Sequence, residues 1–183
     1  LPTFNNKVLN LPENVAIMMA SILAISLGIG RVLAGQMAKR FSWVTILTVC
    51  ILISMAIVLF VLPKAVNADI GVVETLADVP LIGYAFPIVG LFIAPIYPLL
   101  NSAVLSALPK RLHSPMSGLI IIFSALGGTL GSRIIGILFQ NLGADQAFSY
   151  TVIPMAALLI ALYFLKKLTA KALAEKEAQA NSI

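Results

Sequence analysis

The sequence predicts an all-α membrane protein built on five transmembrane helices, and three observations carry that expectation. Of 183 residues, 60% are hydrophobic and 10% charged, far from the balance of a soluble domain. The apolar residues fall into five runs, each long enough at about 1.5 Å per residue to cross a hydrocarbon core of about 30 Å. The basic residues behind the net charge of +5 sit mostly in small clusters at the ends of those runs. That placement is topological and points to a lipid bilayer as partner rather than to nucleic acid.

Residues 1–11 hold Asn5, Asn6, Lys7 and Asn10, too few and too polar to span, and are expected as an extracytoplasmic loop. The start at Leu1, without a basic leader and a short apolar core, predicts a fragment with no visible signal peptide. Pro12 suits a first helical turn, and the first span is expected over 12–37, closed by Lys39-Arg40. Within it Ser26, Gly30, Ala34 and Ala38 recur every four residues, a small-residue face that admits a close neighbour. Arg31 lies two turns from the end. It either snorkels, or forms a structural ion pair, or meets a solute.

The second span, 43–62, carries no charge and is expected as a lipid-facing helix, with Trp43 at the interface. Cys50, the single cysteine, excludes a disulfide framework and reads as a packing residue. The loop 64–79 follows, with Asp69, Glu74 and Asp78 expected to be solvated and no metal-ligand spacing.

The third span, 80–108, contains Pro87, Pro95 and Pro98 and is expected to bend or partly unwind, since proline removes a backbone donor. Tyr97 and Asn101 lie one turn apart, with Gly90 and Ala94 continuing their face. They read either as a solute contact or as hydrogen-bonding glue between helices. The turn after it concentrates Lys110, Arg111 and the only histidine, His113, expected as a solvated loop residue.

The fourth span, 116–139, has Ser124, Gly128, Ser132 and Gly136 at four-residue spacing, a stripe suited to close helix contact. On a neighbouring face Thr129 stands one turn from Arg133, a guanidinium inside an apolar segment. Arg133 faces a cavity, where it contacts a ligand or an ion-pair partner, or else it snorkels. The fifth span, 147–165, is closed by Lys166-Lys167, and 166–183 is expected as a polar, helix-prone tail.

Alternate loops differ in sign. One side carries Lys39, Arg40, Lys110, Arg111, Lys166, Lys167, Lys171 and Lys176, whereas the other has Lys7 and Lys64 beside four acids. The positive-inside rule therefore predicts a cytoplasmic C-terminus.

Ile29-Gly30-Arg31, then Gly35, then Lys39-Arg40-Phe41 resembles a degenerate second copy of the major facilitator loop motif, without its usual aspartate. Ile96-Tyr97-Pro98, Ser117-Gly118, Gly127-Gly128 and Gly136 follow in an order similar to the C-terminal half of the fucose permease and glucose/galactose transporter branch. The likeness covers Leu11 to Leu165. It implies helices eight to twelve of a twelve-helix carrier working by alternating access, in a bacterial inner membrane. Helix seven, largely missing, and the N-terminal half, with its proton-coupling carboxylates, would be the partner. Tyr97, Asn101, Thr129 and Arg133 would be the substrate residues, and Gly30, Arg31, Gly35 and Arg40 a structural or gating motif.

The expected function is thus proton-coupled transport of a small polar solute such as a sugar. Members of that branch usually carry a proline or small residue where Ser132-Arg133 stands, and a positive wall suits an organic anion at least as well. Multidrug export and a non-transporting membrane scaffold are the other readings. No catalytic residues, metal or cofactor are expected. The chain has no paired carboxylates, no His or Cys cluster, no nucleophile beside a base and no phosphate-binding glycine loop.

Overall fold

The first N–H groups of a helix lack carbonyl partners, so helices start at residues that cap such a group or lack one. Pro12, in extended conformation at φ −53° and ψ 149°, opens α1 (Glu13–Met37), and Glu13 places an acid in its first turn, favourable beside the positive end of the helix dipole. A tight turn closes α1, in which the backbone N–H groups of Arg40 and Phe41 both donate to the Met37 carbonyl at 2.9 Å. Ser42 then caps α2 (Trp43–Ala56), its Oγ accepting from the Thr45 N–H at 3.2 Å. One π-helical turn, Ile57–Val61, prolongs α2.

The computed structural model describes residues 12–61, 64, 75–79, 81–142, 147 and 149–180. After two short 3-10 turns, Leu76–Asp78 and Leu81–Tyr84, come α3 (Ala85–Ile93), α4 (Ile96–Ala107), a 3-10 turn at Lys110–Leu112, α5 (His113–Leu142) and α6 (Val152–Ala180). Among the described residues there is no strand. Five segments are long and apolar enough to cross a membrane: Glu13–Met37, Trp43–Val61, Pro87–Ala107, Lys110–Leu142 and Val152–Lys171. The terminal stretch 1–11, Asp69, Glu74 and the connection 143–146 lie outside the described residues.

Packing is uneven. Helix α1 lies along α3, α2 touches both α3 and α6, and α6 also touches α4. Leu47, Ile51 and Leu162 form a buried core, with Ile96, Leu99, Leu158 and Met155 packed around it. That corrects the reading of the second span as a lipid-facing helix. Uniform hydrophobicity carries no face signal, so the side that turns inward is settled by its neighbours.

The closest approach joins α1 to α3. Gly30 and Ala34 are buried, and a Cβ added to Gly30 would overlap the Leu91 carbonyl oxygen and stand 3.0 Å from the Ala94 Cβ. Residue 95 is proline, so no N–H four residues on is available to that carbonyl. A bare glycine Cα approaching an otherwise short-changed acceptor is a weakly favourable contact in itself. Gly90 gives similar room to the Leu23 side chain.

One further expectation is corrected. His113 is not a solvated loop residue: it is half-buried at the start of α5, its Nε2 3.1 Å from the Leu108 carbonyl, and so helps close α4. Asp78 is exposed, as expected, and its Oδ2 also accepts from both the N–H and the Oγ1 of Thr75 at 2.8 Å, which folds the turn before α3. The helix-prone tail beyond Lys166 is helical, α6 continuing to Ala180 without a break.

Gly30→Ala is expected to lower the stability of the detergent-purified protein by about 1–3 kcal/mol, the usual cost of overpacking. Gly28→Ala, which meets nothing within 4 Å, is the control, and thermal unfolding should separate the two. The Ser54 hydroxyl is fully buried with no hydrogen-bond partner among the described residues. Ser54→Ala, which removes an unpaired polar group rather than a bond, should therefore leave the melting temperature unchanged or raise it.

Candidate functional site

Between α3 and α4 the helical hydrogen bonding lapses at Ala94 and Pro95, whose backbones stay right-handed helical, and resumes with the Leu99 N–H donating to the Pro95 carbonyl at 3.1 Å. Pro98 falls in the first turn of α4, where a missing N–H costs nothing. Two polar side chains follow the break one turn apart. Tyr97 is 48% exposed and Asn101 is half-buried.

Gly90, on α3, and Ala94, just after it, are both buried against α1. These small residues serve packing, whereas Tyr97 on α4 remains accessible.

On α5 the stretch 121–130 is exposed along its whole length. The Thr129 hydroxyl donates to the Ala125 carbonyl at 2.9 Å, and the Ser132 hydroxyl to the Thr129 carbonyl at 3.0 Å. Such back-bonding satisfies the donor within its own helix and leaves lone pairs free to accept. Arg133, one turn further, is exposed and has no carboxylate partner among the described residues.

The structure therefore brings Tyr97 together with Asn101, and Thr129 with Arg133, but packs neither pair against the other. Nor does the small-residue stripe of α5 meet a neighbour: a Cβ at Gly128 or Gly136 would find nothing within 4 Å. Of the expected motif, Gly30 sits in the α1–α3 contact, whereas Arg31 and Gly35 are exposed on other faces and Arg40 lies in the exposed turn before α2. Among the described residues no three of His, Cys, Asp and Glu converge as metal ligands.

Two features escaped sequence reasoning. The Leu91 carbonyl was flagged only indirectly, by the proline four residues later. The bond from the Tyr84 hydroxyl to the Leu76 carbonyl, 2.8 Å, gave no pattern at all.

An apolar bundle with five spanning segments, a helix broken at proline beside polar side chains, and a lone guanidinium in a spanning helix fits a solute carrier. The sequence model of the Major Facilitator Superfamily matches residues 1–182. The chain belongs to the Major Facilitator Superfamily. As a member it is an integral membrane protein and, in general terms, a transporter; proteins of this family transport rather than catalyse. Searches of curated proteins and of solved structures returned no match.

Thr129→Val removes a hydroxyl bonded only to its own helix on an exposed face. It should shift stability by no more than about 0.5 kcal/mol, so that any change in transport reports on solute rather than on folding. Thermal unfolding beside uptake makes that comparison.

Proposed function

We propose that this chain supplies helices eight to twelve of a secondary active transporter that moves a small polar solute, a sugar or related compound, by alternating access. Proton coupling and a cytoplasmic C-terminus in a bacterial inner membrane belong to the same reading, as does a place in the fucose permease and glucose/galactose branch. Carboxylates elsewhere in the transporter would carry the proton, since the described spans hold only Glu13, at the very first residue of α1.

One observation carries the proposal: Arg133 is exposed in the interior of a spanning helix without a carboxylate partner. A charge at that depth is costly in lipid, and the usual remedies are a water-filled path, an ion-pair partner or a ligand. Tyr97 and Asn101, just past a helix break, supply the neutral hydrogen bonds that fix a polar solute. Broken helices with side chains beside the break are a recurrent way to build such sites at membrane depth.

Arg133 also favours a second reading, in which the solute is an organic anion. A guanidinium pairs with a carboxylate or phosphate through two parallel hydrogen bonds. Competition by sugars, organic anions and lipophilic cations separates these substrates from multidrug export.

The deciding experiment is uptake by the full-length transporter in cells, with variants matched for expression. Asn101→Ala and Arg133→Ala should each reduce uptake at low substrate by roughly tenfold or more, the loss of a hydrogen bond worth about 1.4 kcal/mol or above. Arg133→Lys should restore part of it if the solute is anionic. Unchanged uptake in both alanine variants would leave the polar residues as helix glue and favour a scaffold.

A further inference from the structure

Helix α4 is amphipathic in the sense opposite to a lipid-facing helix. Ala103 and Ala107 are buried, and Ile96, Leu99 and Leu100 pack on the core of Leu47, Ile51 and Leu162. At about 100° per residue these five share one side of the helix. Tyr97, Asn101, Ser102 and Ser106 fall on the other side, with Pro98 and Leu105 between them. Asn101 is half-buried, and Tyr97, Ser102 and Ser106 are exposed. The apolar side serves the bundle, and the polar side is left outside it.

These polar groups are satisfied unequally. The Ser106 hydroxyl donates to the Ala103 carbonyl at 3.0 Å. The hydroxyls of Tyr97 and Ser102 and the amide of Asn101 make no hydrogen bond among the described residues. All four residues lie within the spanning segment Pro87–Ala107, where an unpaired donor facing lipid tails is costly. Glue between helices would bury such groups. Here the strip is open along its length, about 14 Å at about 1.5 Å per residue, and runs on into the exposed turn of Pro109, Lys110 and Arg111. A polar strip with a charged, solvated outlet can be wetted from that end.

We infer that Ser102 and Ser106 are two further residues of the solute path, which continues past Tyr97 and Asn101 along this side of α4 as a water-filled route opening at the Lys110-Arg111 end. This placement rests on the solute-carrier reading above and adds to it two lining residues and a direction of opening. Ser102 offers a passing polar solute both a donor and acceptors, since no bond within the helix occupies its proton.

The test is the reactivity of cysteines placed along α4 of the full-length transporter in membrane vesicles, with Cys50 and any other cysteine replaced by serine. The probe is (2-sulfonatoethyl) methanethiosulfonate, a membrane-impermeant anion added from the side on which Lys110 lies. It modifies the thiolate, which forms only where water reaches. Ser102→Cys and Ser106→Cys should react about tenfold or more faster than Ile160→Cys. Ile160 is 61% exposed on α6 and lies nearer in sequence to Lys166 than Ser102 does to Lys110, so depth alone would favour it. Counting each thiol after denaturation separates slow reaction from missing protein. If Tyr97→Cys and Asn101→Cys react while both serine variants only match Ile160→Cys, the inference is overturned and the solute reading is untouched. If all four match Ile160→Cys, both fall. Reaction of Ser102→Cys from the opposite side alone would overturn the direction of opening. Fast reaction at Ser102→Cys and Ser106→Cys beside unchanged uptake in Asn101→Ala would uphold the water-filled route and remove the solute contact at Asn101.

Discussion

A backbone carbonyl inside a bilayer has no water to turn to, and this constraint governs how α1, α3 and α4 fit together. Proline at position 95 withdraws the N–H that the Leu91 carbonyl would otherwise meet. The helix ends at Ile93 and begins again at Ile96, and α1 presses its barest residue, Gly30, against the Leu91 carbonyl. The break and the closest helix contact are thus one arrangement. Small residues before the break are consumed by packing, which frees the residues after it for another use.

The same economy explains the contrast between α2 and α5. Helix α2 carries no charge and contributes Leu47 and Ile51 to the buried core, because every face of it is acceptable to a neighbour. Helix α5 carries Arg133 and a run of glycines and serines, and its central stretch packs against nothing among the described residues. Its Thr129 and Ser132 hydroxyls satisfy themselves on the preceding turn, where no neighbour offers an acceptor. A guanidinium has no such internal remedy, which is why Arg133 dominates the functional reading of this superfamily member.

Much of the fold was legible in the residues. Five runs of apolar sequence bounded by Lys39-Arg40, Pro63, Lys110-Arg111 and Lys166-Lys167 correspond to five spanning segments, because length and polarity alone decide whether a helix can cross lipid. The prolines announced the interruption of the third span. The candidate site was legible only as residue types: Tyr97 and Asn101, Thr129 and Arg133 could be paired within their helices by counting turns. Whether the two pairs meet depends on how α4 and α5 lie against each other, which no spacing within one helix encodes.

By itself the sequence determined the number of spans, their approximate limits and the positions where polar atoms enter them, since each follows from local hydrophobicity and from proline's missing donor. Only the tertiary structure decided which apolar face is buried, that Gly90 and Ala94 pack against α1, and that α2, α4 and α6 leave an apolar crevice between them. Those outcomes depend on contacts between residues far apart in the chain. In a sequence so uniformly apolar, many pairings satisfy hydrophobicity equally well, and close packing selects among them.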